Sequence, residues 1–325
     1  MAKTKKTVFV DGQHGTTGLK IRERLNGRKD IEVIEIPEEK RKDAETRKKL
    51  INEADIVFLC LPDDAARESV GLIKNSSVCV IDGSTAHRVT EGWVYGLPEL
   101  KKEQRTLIKK SRRITVPGCH ATGFGLMLYP LIARGIVGTD YPVSCHAVAG
   151  YSGGGKAMIA DYENPSVPDY IKNPRPYSLA LNHKHVPEMT IIIGLVRPII
   201  FAPTVFNVYN GEIISIPLVA SYLKKQLSAA DIRAVLAEYY AGEHFIKVMP
   251  YPADDYLKNG FLTFSDCNDT NNLEIFVFGD KDRILLSARY DNLGKGASGA
   301  AVQNMNIVLG IEETTGLEAM TLPRG

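Results

Sequence analysis

The start of the chain limits the possible folds most, because a strand, a glycine turn and a helix follow one another there. Residues 7–11 form an apolar run of strand length, residues 12–18 carry three glycines in the spacing GxxGxxG, and residues 19–25 have the amphipathic spacing of a helix. Such a turn lets the backbone approach a pyrophosphate, whose charge the helix N-terminus stabilises. The spacing differs from the usual GxGxxG, so a plain tight turn is the alternative. The residues expected to hold the pyrophosphate are Gly12, Gly15, Thr16, Thr17 and Gly18.

Strands and helices continue to alternate through the first third of the chain. Further apolar runs with strand patterns lie at 31–36, 55–62, 77–82 and 113–116. The two middle runs are almost continuously apolar, as strands covered on both faces are. Helical patterns include 64–74, capped by Asp63 or Asp64, and 100–110, which follows a loop at 93–99. This order predicts a doubly wound, Rossmann-type parallel sheet that binds ligands at the carboxyl ends of its strands.

Polar residues after two of these strands are candidates for ligand contacts. Lys40 begins a basic run after the second strand, where a basic group accommodates the 2′-phosphate of NADP. The alternatives are that this run faces solvent and that Glu35 binds a ribose hydroxyl. The fourth strand leads into Ser84, which should face the cofactor or substrate, and into Arg88, whose planar guanidinium suits a carboxylate.

One cysteine, Cys119, stands between the strand at 113–116 and a run of helical character. Pro117 and Gly118 would turn the chain tightly enough to present its sulfur. Backbone N–H groups at a helix N-terminus favour negative charge, and the thiolate is the reactive form of cysteine. We therefore interpret Cys119 as a nucleophile, with a buried, inert cysteine as the alternative.

In the second half of the chain the pattern changes, because strands follow strands with few helices between them. Strand patterns lie at 143–149, 189–195, 199–209, 212–218, 275–278 and 283–290. The clearest helix, 228–240, begins with Ser228 and Asp231 in the arrangement of a capping box. We therefore expect an α+β catalytic domain with a mixed or antiparallel sheet.

Residues 182–189 concentrate two imidazoles and a carboxylate before one of these strand patterns. On an extended chain His183 and His185 would point the same way, so zinc ligation has to be considered. No third and fourth ligands stand at a suitable spacing, and we predict no metal. General acid–base chemistry is the better interpretation, with Glu188 orienting an imidazole. The pattern does not distinguish the two histidines.

Two small-residue turns in this half each carry a lysine. Lys156 ends a glycine loop and could meet an anionic substrate, unless the loop is merely mobile. The turn at 290–301 opens an amphipathic helix, which we expect to return to the first domain. The turn would then lie beside the nicotinamide, with contacts from Asn292, Gly294 and Lys295.

The composition argues against several classes of protein. The 325 residues, 44% hydrophobic and 24% charged, suffice for about two domains with a substantial core. A net charge of +2 gives no reason to expect nucleic acid or a membrane surface as a partner. The apolar run after the basic N-terminus is too short for an export signal. Five cysteines without a CxxC pair argue against a disulfide framework and structural zinc, so we expect a cytoplasmic protein.

Taken together, the motifs resemble those of the N-acetyl-gamma-glutamyl-phosphate reductases in their shorter form, which are relatives of aspartate-semialdehyde dehydrogenase. The motifs that carry the resemblance are GxxGxxG at 12–18, YGLPE at 95–99, PGCHATG at 117–123, HKHVPEM at 183–189 and DNLGKGASGAAVQN at 291–304. Longer members of the family have an aromatic residue and a proline where this chain has His120 and Ala121. The roles of those two positions are therefore not carried over.

The resemblance implies NADPH-dependent reduction of N-acetyl-gamma-glutamyl phosphate to N-acetylglutamate semialdehyde and inorganic phosphate, in arginine biosynthesis. Cys119 would form a thioester, His183 would be the acid–base because the family places that histidine first in the motif, and His185 would hold substrate. Alternatives are an aspartate-semialdehyde dehydrogenase-type reductase of another acyl phosphate, a non-catalytic NADP-sensing protein and a zinc hydrolase.

The expected domain organisation follows from the same patterns. Residues 1–118 and 297–325 would form the NADP-binding domain, and residues 119–296 would form a catalytic and dimerisation domain. We expect a homodimer or homotetramer, because antiparallel sheets of this kind often form dimer faces.

Overall fold

The computed structural model describes residues 5–317, which divide into two compact units. The first unit contains the chain up to Pro117 and again from Ala297, and the second contains Gly118–Gly296. These divisions lie within one residue of the expected domain boundaries. Residues 1–4 and 318–325, which were expected to belong to the NADP-binding domain, lie outside the described residues.

The first unit contains a six-stranded sheet in the order β2-β1-β3-β4-β6-β5, and every neighbouring pair is parallel. Its strands are β1 (Lys6–Asp11), β2 (Ile31–Ile34), β3 (Ile56–Leu59), β4 (Cys79–Asp82), β5 (Val94–Tyr95) and β6 (Arg113–Thr115). Its first four helices are α1 (Thr16–Leu25), α2 (Ala44–Glu53), α3 (Asp63–Gly71) and α4 (Gln104–Lys110). The predicted Rossmann-type domain is therefore confirmed.

Burial explains why the apolar runs become central strands. All four residues of β3 and all four of β4 are buried, because helices cover both faces of the sheet. Phe9, Val57 and Val80 meet in one core cluster with Ile51 of α2 and Ala66 of α3. Two local expectations were wrong. The predicted loop at 93–99 contains the short edge strand β5, and no aspartate side chain caps α3.

The reason that α3 lacks an aspartate cap is that Asp63 has another partner. Pro62 stands at the N-cap, where proline supplies no side-chain acceptor. The Asp63 carboxylate instead accepts hydrogen bonds from the backbone N–H of Thr85, at 2.9 Å, and from its hydroxyl. Asp63 therefore ties the start of α3 to the segment that follows β4.

The C-terminal helix, Gly299–Leu309, belongs to the first unit and packs on α1, α4 and β4. Its buried Asn304 donates from Nδ2 to the carbonyl oxygens of Gly96 and Ala300, at 2.8 Å each. A side chain at Gly96 would lie closer than 3.0 Å to Asn304. The predicted return of this helix to the first domain is confirmed, and the glycine of the YGLPE motif makes room for its packing.

The second unit contains a seven-stranded mixed sheet in the order β11-β12-β13-β10-β7-β9-β8. Its strands are β7 (Ser144–Gly150), β8 (Arg175–Pro176), β9 (Ile200–Phe206), β10 (Glu212–Val219), β11 (Ile246–Val248), β12 (Leu273–Gly279) and β13 (Arg283–Tyr290). Its helices are α5 (Cys119–Ala133), α6 (Gly155–Glu163), α7 (Asp169–Lys172), α8 (Val186–Ile191) and α9 (Ala229–Tyr239). The capping box of Ser228 and Asp231 is present at the start of α9. The predicted α+β domain with a mixed sheet is confirmed.

The strand expected at 189–195 was wrong, because that segment continues helix α8 and the turn after it. Pro187 lies in the first turn of α8, where proline is favoured. Met189 and Ile193 are buried, whereas Ile191 is 58% exposed. A strand would have placed all three side chains on one face. The run of β-branched residues therefore misled the prediction, and burial follows a helical period here.

Membrane-spanning elements were sought among the helices of residues 5–317. None of these helices is both long enough and apolar enough to cross a bilayer.

Candidate active site

In the first unit, the glycine turn between β1 and α1 has the form of a phosphate site. Gly12 has φ +88°, and a Cβ there would lie closer than 3.0 Å to the carbonyl oxygen of Cys60. A Cβ at Gly18 would meet the Gly12 carbonyl oxygen equally closely. Gly15 is the N-cap of α1 and provides no side-chain cap. The buried Thr16 hydroxyl has no hydrogen-bond partner among the described residues. The narrow turn, the uncapped helix start and this hydroxyl all fit a pyrophosphate.

Lys40 lies at the end of a short 3₁₀ turn, Glu38–Lys40, and is exposed. No ion pair joins it to a described residue, whereas Glu35 pairs with Arg22 and Glu38 pairs with Arg41 at 2.9 Å. Glu35 and Glu38 are thus already paired with arginines. Lys40 is an exposed cation available at this strand end.

Ser84 and Arg88 both lie after β4 and make contacts within the first unit. The Ser84 hydroxyl donates to Asp82 at 2.8 Å, and the same Asp82 oxygen contacts His87 Nδ1 at 2.6 Å. Arg88 is buried and donates to the carbonyl oxygens of Val116, at 3.0 Å, and Gly83, at 3.1 Å. These bonds hold the ends of β4 and β6. The predicted ligand roles of Ser84 and Arg88 stay predictions.

In the second unit, Cys119 is the first residue of α5, and Gly118 is its N-cap without a side-chain cap. The Gly118 N–H donates to Glu188 Oε1 at 2.8 Å. The Tyr290 hydroxyl donates to the Cys119 carbonyl oxygen at 2.7 Å and accepts the Gly123 N–H at 3.3 Å. A Cβ at Gly296 would lie 2.9 Å from the Cys119 Cβ. The backbone around this half-buried cysteine is therefore held from three directions, with the sulfur at the positive end of a helix.

Three imidazoles gather beside this helix start. The ring centroids of His120, His183 and His185 lie 4.7 to 5.3 Å apart, and each of His120 and His183 also packs on Phe201. The backbone N–H of His185 donates to His183 Nδ1 at 3.1 Å. The expectation that both histidines lie on an extended chain was wrong, because they belong to the turn before α8. Tertiary structure nevertheless brings a ring nitrogen of His185 within 4.8 Å of the Cys119 sulfur, and the His183 ring packs against His185.

Tertiary structure also supplies the third candidate ligand that the spacing lacked. Ligand atoms of Cys119, His120 and His185 lie within 4.8 Å of one another. His120, however, already uses both ring nitrogens, since Nδ1 contacts Glu212 and Nε2 contacts the Tyr177 hydroxyl at 2.9 Å. A metal would have to displace one of these partners, so we do not identify the three residues as metal ligands.

Glu212, Tyr177 and His120 are site residues that the sequence reasoning missed. Glu212 opens β10, is fully buried and pairs with His120. The motif-based prediction gave an imidazole partner to Glu188, whose carboxylate here accepts the Gly118 N–H. A lone glutamate at the start of an apolar strand was the available signal. Its partner lies 92 residues away, so the spacing could not reveal the pair.

The other predicted residues of the second unit are placed as follows. Lys156 is exposed on α6. Asn292 accepts the Gly211 N–H at 2.8 Å and donates to the Ser152 hydroxyl at 3.0 Å. A side chain at Gly294 would lie closer than 3.0 Å to the Thr270 carbonyl oxygen. Lys295 is fully buried, with Nζ 5.5 Å from the centre of the Phe245 ring. Their ligand roles stay predictions.

Solved structures share this fold over nearly the whole chain. Aspartate semialdehyde dehydrogenase II of Vibrio cholerae superposes with a TM-score of 0.72 over 95% of this chain and 99% of that one, at 15% identity. The aspartate semialdehyde dehydrogenase of Francisella tularensis gives 0.72 over 94% and 100%, at 16% identity. At such low identity the likeness establishes the fold alone.

Sequence comparison defines the class and then the family. The semialdehyde dehydrogenase NAD binding domain matches residues 7–108, and the semialdehyde dehydrogenase dimerisation domain matches residues 119–292. The class is therefore that of the semialdehyde dehydrogenases, which are oxidoreductases. N-acetyl-gamma-glutamyl-phosphate reductase 2 of Nostoc sp. is 46% identical over 96% of this chain and 99% of its own length. The N-acetyl-gamma-glutamyl-phosphate reductase of Chelativorans sp. is 45% identical over 93% and 97%. The chain belongs to the N-acetyl-gamma-glutamyl-phosphate reductase family, as its motifs predicted.

Proposed function

We propose that the protein reduces N-acetyl-gamma-glutamyl phosphate to N-acetylglutamate semialdehyde and inorganic phosphate, as a step of arginine biosynthesis. The observation that carries the proposal is the half-buried Cys119 at the start of α5, with His185 within 4.8 Å of its sulfur and the His183 ring packed against His185. The near full-length relatives that carry the reductase name support the choice of substrate. An aspartyl phosphate is the less favoured substrate, because the dehydrogenases of that name share only the fold.

The proposed chemistry begins at the Cys119 sulfur. The thiolate attacks the acyl carbonyl carbon, the S–C bond forms, and the C–O bond to phosphate breaks with its electron pair on phosphate. NADP(H), held by the residues assigned to it below, would supply the hydride that reduces the carbonyl carbon of the resulting thioester. His183 gives a proton to the oxygen of the thiohemiacetal and takes it back as the S–C bond breaks, which releases the aldehyde and restores the thiolate. His185 would hold the substrate beside it.

The start of α5 supports this route electrostatically. Glu188 accepts the Gly118 N–H, and Tyr290 holds the Cys119 carbonyl, so the first helical turn keeps its geometry while bonds at sulfur change. The uncapped N–H groups of this turn favour the thiolate. Glu188 thus acts as a positioning residue for the nucleophile, in addition to its predicted role with an imidazole. Arg88 and Lys156 are proposed contacts for the anionic groups of the substrate.

We assign NADP(H) as the cofactor. The turn formed by Gly12, Gly15, Thr16, Thr17 and Gly18 would hold the pyrophosphate, as the uncapped start of α1 supports. Lys40, which is exposed and forms no ion pair with any residue of 5–317, supports a 2′-phosphate after β2. Ser84, Asn292, Gly294 and Lys295 complete the proposed cofactor contacts.

The first experiment is NADP reduction in the presence of phosphate, run in the reverse direction with N-acetylglutamate semialdehyde and, beside it, aspartate semialdehyde. We expect turnover of the first aldehyde, dependent on phosphate and faster with NADP than with NAD. Turnover of aspartate semialdehyde alone would favour the rival reductase. A folded protein that turns over neither aldehyde would favour the NADP-sensing alternative.

Lys40→Ala should narrow the preference for NADP over NAD in the same assay. An unchanged preference would remove Lys40 from the cofactor site.

We also infer a homodimer or homotetramer formed through the open face of the mixed sheet. Helices α5 and α9 cover one face, whereas Ile200, Val219 and Leu285 point to the other and are 57%, 44% and 37% exposed. Exposed apolar side chains on a sheet face favour burial against a second copy. Sedimentation at the mass of two or four chains is expected, with Val219→Lys weakening the assembly. A parent protein that sediments as a monomer at micromolar concentration would contradict the inference.

The expected location is the cytoplasm. All five cysteines are free of disulfides, as is typical of a reducing compartment. Recovery of the native protein in an exported or membrane fraction would contradict this location.

A further inference from the structure

A connected set of three polar side chains, two of them buried and one half-buried, lies beside Cys119 and has no part in the chemistry described above. Glu212 of β10 is 0% exposed and contacts Nδ1 of His120, the second residue of α5. His120 is 3% exposed, and its Nε2 lies 2.9 Å from the hydroxyl oxygen of Tyr177, which follows β8. Position 120 is also where this chain departs from the aromatic residue of the longer family members. The chain of contacts joins three separate elements of the second unit.

The number of protons shared by the Glu212 carboxyl group and the His120 ring follows from their burial. The Glu212 carboxyl has His120 as its hydrogen-bond partner, and its other oxygen has no partner among residues 5–317. A carboxylate beside a neutral imidazole would leave an uncompensated charge in the interior, which is costly. A carboxylate–imidazolium pair and a carboxyl–imidazole pair both carry no net charge. In either neutral arrangement one proton lies between Glu212 and Nδ1, and Nε2 carries the other.

The direction of the second hydrogen bond is thereby set. The His120 Nε2–H donates, and the Tyr177 oxygen accepts. The Tyr177 hydroxyl proton is then not used by His120 and must point elsewhere. Within the described residues the hydroxyl has no second hydrogen-bond partner. The hydroxyl proton of a phenol held in this way is available for donation to a negatively charged acceptor.

Cys119, which precedes His120 at the start of α5, is the candidate for that acceptor. Burial raises the pKa of Tyr177 first, and the nearby charges of Cys119 and Glu212 raise it further, so the phenol keeps its proton beside a thiolate. Nε2 or Nδ1 of His120 lies within 4.8 Å of the Cys119 sulfur, on the same helix turn. Tyr290, a second phenol near this cysteine, already uses its proton on the Cys119 carbonyl oxygen.

We propose that Glu212 and His120 orient the Tyr177 hydroxyl as a hydrogen-bond donor to the Cys119 thiolate. Tyr177 is then the residue that stabilises the thiolate, and Glu212 and His120 are positioning residues that act through Tyr177. The proposal rests on the proposed role of Cys119. Glu212, His120 and Tyr177 keep their protons in this role, since Tyr177 stabilises the negative charge of the Cys119 thiolate without transferring its proton. Removal of the donor should raise the pH at which the thiolate forms.

The ionisation of the Cys119 thiol can be followed without substrate or cofactor, by the pH dependence of its alkylation with iodoacetamide. Burial raises the pKa of Cys79 to about 11 and that of Cys267 to about 12, and it also raises the pKa of Cys60 and Cys145. These four thiols should stay protonated near neutral pH, so alkylation in that range is expected to report on Cys119. The titratable side chains on the elements packed around it are His120, Tyr177, His183, His185, Glu188, Glu212, Tyr290 and Lys295.

The test compares Tyr177→Phe, His120→Phe and the double variant in the full chain. Tyr177→Phe removes only the hydroxyl, and the alkylation midpoint should rise by about one pH unit. His120→Phe keeps an aromatic ring but removes the hydrogen bond that orients the Tyr177 hydroxyl. A similar rise of the alkylation midpoint is therefore expected. The double variant should add little, because both changes remove one interaction. Tyr141→Phe is the matched control, since its buried hydroxyl accepts the Val219 N–H at 2.8 Å outside the site, and it should leave the midpoint unchanged.

Two outcomes would overturn the proposal. One is a parent-like midpoint in a cooperatively folded Tyr177→Phe protein, and the other is full additivity of the two single shifts. Should Tyr177→Phe not fold, 3-fluorotyrosine at position 177, a stronger donor of nearly the same volume, should lower the midpoint, and an unchanged midpoint would again reject the proposal. Because alkylation needs no acyl phosphate, these results stand apart from the aldehyde assay, whose failure would refute the proposed reaction instead.

Discussion

Cys119→Ser is expected to lower the NADPH oxidation that depends on N-acetyl-gamma-glutamyl phosphate by at least about 10³-fold. Serine fits the site, since it is smaller than cysteine and the contacts of Tyr290, Glu188 and Gly296 are with the backbone or Cβ of this turn. Its hydroxyl, however, stays protonated where the thiol would ionise at the start of α5. The loss should therefore fall on turnover, with folding intact.

The measurement is steady-state NADPH oxidation by the full chain, with the thermal midpoint recorded beside it. Cys267→Ser is a suitable control, because Cys267 is a buried thiol of the same unit whose pKa burial raises to about 12. It should keep the rate within a few-fold of the parent, even where it lowers the thermal midpoint. If Cys119→Ser retained the parent rate, the covalent route through a thioester would be wrong.

Gly12→Ala is expected to have the second-largest effect, on stability and on cofactor binding together. Gly12 has φ +88°, and its added Cβ would lie closer than 3.0 Å to the carbonyl oxygen of Cys60, which is backbone and cannot rotate away. The turn must shift, so we expect a loss of more than about 3 kcal/mol in the free energy of unfolding of the first unit. A shifted turn also moves the start of α1, and NADP affinity should fall with it.

Gly27→Ala separates the two causes of that loss. Gly27 has φ +76°, close to that of Gly12, but nothing lies within 4 Å of an added Cβ. Backbone strain alone should cost about 1 kcal/mol there, with NADP affinity unchanged. Denaturant unfolding and NADP titration of both variants give the comparison. Equal losses in the two variants would mean that the close approach to Cys60 is unimportant.

The first unit could be predicted from sequence because its signals are local. Continuous apolar runs, glycines at the first turn and alternating helices each depend on neighbours within about ten residues. They predicted β1 to within one residue, and the longer predicted runs at 55–62 and 77–82 contain β3 and β4. The return of the C-terminal helix was predicted from chain order, since an amphipathic helix after the second unit needs a surface to cover.

The second unit shows where local signals fail. The β-branched residues after Glu188 predicted a strand, but Pro187 and the buried pair Met189 and Ile193 make a helix and its turn. Strand propensity is weak when packing favours another period. The error also misplaced His183 and His185, whose rings meet through a turn rather than along a strand.

The sequence by itself determined the family, the Rossmann-type sheet, the cysteine at a helix start and the histidines near it, because motifs and periodicity are carried by adjacent residues. Only the tertiary structure decided which groups surround that cysteine. Glu212 lies 92 residues from His120, and Tyr177 lies 57 residues from it. Contacts over such distances are made by sheet pairing and helix packing, whose registers no local pattern encodes. The contacts from which we infer the proton arrangement at Cys119 therefore form only because β8, β10 and α5 are brought together.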